Sequence, residues 1–188
     1  MSWKNELKRL QDKPKFERMI GVAEIFTRLS QARFRVTPII VGGMAVEIYT
    51  RGEYVTADID MVYVDHELAD QILNDMGFIR EGRYWYHPGL EVAVEIPSDI
   101  LAGDMDKVNT LYTSRNKKSF VRVIGLEDLL IDRLNAYKHW NSVADGEWAE
   151  RLYAIHKDRL DIPYLKKCAQ RERVAEEVEQ LIHHGLLF

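Results

Sequence analysis

The sequence predicts an α+β fold, a mixed β-sheet flanked by helices and followed by a C-terminal helical region. Three observations predict it. Short β-branched or aromatic segments separated by turn residues fill the front of the chain, one of them carries an Asp-Ile-Asp triplet just downstream of a Gly-Gly pair, and from Leu126 onward only helical patterns recur.

Each element follows from its residues. From Lys15, the apolar positions Phe16, Met19, Ile20, Ala23, Phe26 and Leu29 recur at spacings of three or four, which predicts an amphipathic helix. "PIIV" (Pro38 to Val41) is a short apolar run between Pro and Gly-Gly and reads as a strand buried on both faces. Met44 to Tyr49 carry no breaker and read as a short helix. The loop "TRGEYVT" then leads into a second strand, "ADIDMVYV". Asp65 is positioned to cap the helix "HELADQILNDM", which Gly77 closes. "GFIREG", "RYWYHP" and "LEVAVEIP" read as antiparallel strands, and "SFVRVIG" (Ser119 to Gly125) as one more. Three helices follow: "LEDLLIDRLNAYKHW", "DGEWAERLYAIHKDRL" and "IPYLKKCAQRERVAEEVEQLIHHG", with Pro163 in the first turn of the last. The chain thus divides near Gly125 into an α/β core with N-terminal helices (1–125) and a helical region (126–188). With no Pro/Ser linker or repeat between them, the two parts are expected to pack as one body.

The bulk properties narrow the function. At 188 residues the chain can bury a substantial core, and 46% hydrophobic with 30% charged residues is an ordinary globular composition. The net charge of -4 lacks the basic excess of a generic nucleic-acid binder, so any such contact must be local. Cys168 is the only cysteine, which excludes an internal disulfide and a cysteine-rich zinc site and suits a reducing compartment. Its neighbours, "LKKCAQRERV", read as an exposed helix. The opening "MSWKNELKRLQDKPK" has no apolar h-region, and no stretch approaches the roughly 20 apolar residues of a membrane span. A cytoplasmic protein with no membrane partner is the expectation.

The chemistry concentrates between Val41 and Glu95. On a strand, Asp58 and Asp60 share one face, and two like charges held side by side become tolerable with a divalent cation between them. In "LEVAVEIPSD", alternation puts Glu91, Ala93 and Glu95 on one face. Glu95, at the strand end between Val94 and Ile96, is the candidate third ligand. Gly42 and Gly43, ahead of a short helix, can present backbone N–H groups to an anion. Taken singly, paired acids are often a solvated edge and Gly-Gly only a tight turn; in this order they reinforce one another.

Gly42-Gly43, Asp58-Ile59-Asp60 and Glu95 resemble the signature of the nucleotidyltransferase superfamily, which includes the minimal nucleotidyltransferases and the polymerase-β-type palm. "TADIDMVY", "VEIPSDILAGD" and "VIGLEDLLIDRLNAYKHW" resemble an uncharacterised branch related to the AbiEii toxins, over about Ile39 to Leu165. The resemblance implies a nucleotidyltransferase-like fold and magnesium-dependent transfer of an NMP from an NTP to a hydroxyl of RNA, protein or a small molecule. It implies two magnesium ions on Asp58, Asp60 and Glu95, with Glu95 nearest the nucleophile. It further implies β/γ-phosphate binding by the backbone of Gly42, Gly43 and Met44, with Arg51 and Arg133 as further nucleotide contacts. Tyr54 stands where relatives often carry a basic residue, and Arg133 where the toxins tend to have lysine. These departures leave a second reading open: a catalytically silent relative that binds a nucleotide or a protein partner, as in a toxin–antitoxin pair. A glycosyltransferase explains the Asp-x-Asp but not the glycines.

Other conspicuous residues have plainer readings. Arg133 and Lys138 lie about 140° apart on their helix, so Lys138 is expected to be solvated. "HKD" (His156 to Asp158) reads as a charged helix end, although it resembles a Lys-Asp step of the toxin branch. His183 and His184 read as surface residues, and "SRNKK" (Ser114 to Lys118) as a solvated hairpin tip. Tyr84, Trp85, Tyr86, Tyr137 and Trp140 offer stacking surfaces but sit at spacings typical of core or core edge.

Overall fold

The computed structural model describes residues 2–186. Its helices are α1 (Trp3–Leu10), α2 (Lys15–Phe34), α3 (Gly42–Tyr49), α4 (His66–Asp75), α5 (Leu126–Trp140), α6 (Val143–His156), α7 (Ile162–Glu172) and α8 (Ala175–His183). The strands are β1 (Ile39–Ile40), β2 (Asp58–Val62), β3 (Ile79–Glu81), β4 (Tyr84–His87), β5 (Val92–Glu95), β6 (Asn109–Tyr112) and β7 (Phe120–Val123).

They form one seven-stranded sheet in the order β3-β4-β5-β2-β1-β7-β6. The β3–β4, β4–β5, β1–β2 and β6–β7 pairs are antiparallel, whereas β2–β5 and β1–β7 are parallel. The sheet is therefore mixed, and the fold is the α+β architecture expected. Its most useful register is Asp58 opposite Ala93 and Asp60 opposite Glu95. Residues directly opposite share a face. The alternate residues Ile59, Met61, Val94 and Trp85 are fully buried on the other face. That face lies toward α2 and α4, with Phe26 of α2 edge-on to Tyr63 at 5.1 Å. The alternation of β2 thus anchors the strand on its apolar side and presents the aspartates on the other.

Asp65 caps α4 as expected, accepting from the backbone N–H groups of Glu67 and Leu68 at 2.7 and 3.1 Å. Several expectations are corrected. The segment after Pro163 is two helices, because Arg173 adopts φ 64° and turns the chain. Cys168 is buried rather than exposed, since it lies with Leu165 and Ala169 on the inner stripe of α7. Glu91 does not share the face of Glu95: its φ of 51° takes it out of the strand into the turn ahead of β5. The edge strand β6 was not expected, and α3 begins at Gly42 rather than Met44. Among the described residues no helix is long and apolar enough to cross a membrane.

Candidate active site

The site begins with a close approach. Gly42 has φ 55°, a conformation costly for any residue with a Cβ, and an added Cβ there would collide with the Asp60 carboxylate. A Cβ on Gly43 would lie 2.7 Å from Thr56 Oγ1. Both glycines are therefore required by packing, because they let the start of α3 sit directly on the acidic strand. The Gly43 N–H donates to Asp60 Oδ2 at 2.9 Å, so one orphan donor at the head of α3 is satisfied by the acid.

Three carboxylates meet beside this contact. One oxygen from each of Asp58, Asp60 and Glu95 lies within 4.8 Å of the others. Asp58 and Asp60 come from alternate positions of β2, and Glu95 joins them through the parallel register with β5. Burial, and then the charge of Asp58, pushes Asp60 up to about 7, while the Gly43 N–H opposes the rise. The donor set is entirely carboxylate oxygen, the chemistry suited to a hard divalent cation, and the residues fit such an ion.

Residues not foreseen as part of the site hold it in place. Glu47 of α3 is buried, and its carboxylate accepts from the Thr56 N–H at 3.0 Å. The Thr56 hydroxyl in turn donates to Asp58 Oδ1 at 3.3 Å. Arg83, in the β3–β4 turn, places Nε 3.3 Å from Glu95 Oε1 and its guanidinium 4.7 Å from the Tyr84 ring centroid. Only the register of Tyr84 opposite Glu95 brings that turn to the site, a non-local relationship with no signature in the sequence.

A cavity of about 420 Å³ adjoins the acids, lined in part by Gly42, Gly43, Asp60, Val62, Ser98 and Arg133. Arg133 therefore reaches the site, but with both ends of its guanidinium engaged, by Asp132 at 2.5 Å and Asp145 at 2.6 Å. The Met44 side chain is buried in the core, which leaves its backbone alone to face the head of α3. Arg51 does not line this cavity. It lies past the far end of α3, on a separate hollow that has no lining residue in common with the first.

Tyr54 packs edge-on to Trp148 at 4.9 Å and is raised by burial, with Arg133, Asp145, Asp60 and Asp58 all acting on its hydroxyl. Lys138 is not simply solvated but pairs with Glu177 at 2.9 Å. Trp85 is core, whereas Trp140 is exposed. His183 and His184 are exposed, and 114–118 form the solvated β6–β7 tip. His156 is buried, which a charged helix end does not explain.

A solved structure described as an antigenic nucleotidyltransferase-like protein from Paracoccidioides brasiliensis matches the fold of this chain with a TM-score of 0.56, at 15% identity, covering 98% of this chain and 95% of that one. The fold is nucleotidyltransferase-like. The sequence itself matches no family model and no curated protein. At this identity the likeness concerns the path of the chain. Within the nucleotidyltransferase-like fold, the chemistry has to be argued from the carboxylates, the glycine turn and the adjoining cavity.

Proposed function

We propose that the protein is a magnesium-dependent nucleotidyltransferase that moves a nucleoside monophosphate from an NTP to a hydroxyl acceptor. The observation that carries this reading is the convergence of Asp58, Asp60 and Glu95 within 4.8 Å, against the Gly42-Gly43 turn and its cavity. Asp58, Asp60 and Glu95 would hold two magnesium ions, whose contribution when bound is to neutralise charge on the attacking and leaving oxygens. In the transfer, the acceptor oxygen bonds to the α-phosphorus, the bond to the bridging oxygen breaks, and pyrophosphate leaves.

The chain's own groups have separate tasks. Glu95, paired with exposed Arg83, takes the acceptor's proton. Asp60 must be ionised to serve as a ligand, so its own proton is lost on binding. The backbone N–H groups at the head of α3 other than that of Gly43, which Asp60 already accepts, receive the β/γ-phosphates, and Val62 and Ile124 line the adjoining cavity. Arg133 approaches the nucleotide by exchanging one of its carboxylate partners.

The finer placement, in the AbiEii-related branch, rests on the likeness of Glu127 to Trp140, and the acceptor is RNA, protein or a small molecule. A silent relative that binds a nucleotide or a protein partner is the second reading. It is favoured by Arg133, whose guanidinium is already engaged by two carboxylates, and by Tyr54 at the place of a basic residue.

The test is transfer from an α-phosphate-labelled NTP into RNA or protein acceptors. Magnesium-dependent labelling that Glu95→Gln abolishes supports the enzyme. Labelling that survives Glu95→Gln and Asp58→Asn contradicts it.

A further inference from the structure

The end of α3 opposite the carboxylates carries a second concave site. A hollow of about 250 Å³ lies between β6, the last residues of α3 and the 3-10 turn Lys157–Arg159. Arg51, Arg159 and His156 line it together with Thr110, Ile48 and Leu111, and no carboxylate does. Arg133, beside the carboxylate cavity, and Arg151, on α6, are each paired with an acid. Among the described residues, Arg51 and Arg159 have no carboxylate partner.

His156 fixes the chemistry of the hollow. Its Nε2 lies 2.9 Å from the Tyr49 carbonyl oxygen, which can only accept, and its Nδ1 lies 2.9 Å from Arg159 Nη2, which can only donate. The ring is therefore the neutral Nε2–H tautomer. Burial holds the imidazole below its ordinary range, and the charges of Arg159 and Arg51 push it the same way. A buried neutral imidazole thus orients Arg159, and both guanidiniums lie close enough to act on it. Arg51 reaches this position through a left-handed backbone, φ 55°, that is unfavourable for a residue with a Cβ.

We infer that this hollow is a phosphate-binding site, with Arg51 and Arg159 holding the anionic phosphate oxygens and Ile48 facing the carbon part of the ligand. Guanidinium suits the task because its fixed fork of donors matches phosphate oxygens. Thr110 contributes a hydroxyl on the β6 side. The site is distinct from the carboxylate cavity and does not depend on the reaction proposed there. A free phosphomonoester and the phosphate of a nucleic-acid strand share this chemistry.

The experiment uses the full chain in EDTA, so that no divalent ion contributes. Inorganic phosphate, ribose 5-phosphate, ribose, and a short single-stranded oligonucleotide with a 5′ hydroxyl are titrated while the His156 ring nitrogens are followed by NMR. The expected result is a saturable shift of the His156 signals with ribose 5-phosphate and none with ribose. Affinity should fall roughly tenfold in Arg51→Ala, an exposed residue whose loss leaves the fold intact, and further in Arg51→Ala with Arg159→Lys. Binding of the oligonucleotide alone, lost in the same variants, supports the phosphate site and assigns its source to nucleic acid. No shift with any phosphate probe, or binding equal in wild type and Arg51→Ala, overturns the inference.

Discussion

The Gly43 N–H and the Asp60 carboxylate are joined across 2.9 Å, and that single hydrogen bond ties the head of α3 to the acidic strand. Its consequence is that Gly42 cannot be substituted without moving Asp60. Gly42→Ala adds a Cβ in the left-handed region and against the carboxylate, and is expected to cost about 1–3 kcal/mol in stability. Urea unfolding measures the loss, and calorimetry with magnesium should show weakened metal binding in the same variant.

Asp60 sets a pH dependence. Its folded value of about 7 lies above its ordinary value of 3.8, so the folded state holds the proton more tightly and metal-free stability falls as pH rises through that window. Asp60→Asn keeps an acceptor for the Gly43 N–H and removes the charge. It should stabilise the metal-free protein at pH 8 by on the order of 1–2 kcal/mol, after allowance for solvent screening, while abolishing metal binding. In the wild type, magnesium affinity should rise with pH and level off above about 7.

His156 acts in the opposite sense. Its folded value lies below the ordinary 6.5, so its stabilising contribution is complete above that value and is lost as pH falls through the lower folded one. Urea unfolding at pH 7.5 and 5.5 should show wild type losing more stability on acidification than His156→Gln does. Comparing each variant with wild type separates the His156 effect from that of Asp60.

Glu47 is the support beneath Asp58. Glu47→Ala leaves the buried Thr56 N–H without its acceptor and should cost about 1–3 kcal/mol, together with a loss of metal affinity as Thr56 moves. Glu47→Gln retains an acceptor oxygen and should recover most of both. Equal losses in the two variants would show that the charge, not the hydrogen bond, is what matters.

Much of the site is visible along the chain because its logic is local. Asp58 and Asp60 follow from the period of a strand, and Glu95 from the same alternation, since Val92 and Val94 have to face the core. What escaped depends on pairing or on unusual backbone. Arg83 reaches Glu95 only through the β4–β5 register, and Glu47 looks like any helical glutamate until Thr56 folds over it. Arg51 lies close to the acids in sequence, yet α3 carries it about 12 Å along the helix axis from Gly42. β6 was missed because all four of its residues are exposed, so no burial alternation marks it. The break between α7 and α8 was missed because it turns on a left-handed arginine where a glycine is usual.

The carboxylate cluster is proposed to bind metal and nucleotide together. Calorimetric titration of each NTP, with magnesium and with EDTA, into wild type and an Asp58→Ala, Asp60→Ala double variant tests it most directly. The expected result is magnesium-dependent binding of at least one NTP that is lost in the double variant. NTP binding indifferent both to magnesium and to the loss of the two aspartates, or no binding by the wild type, would contradict it.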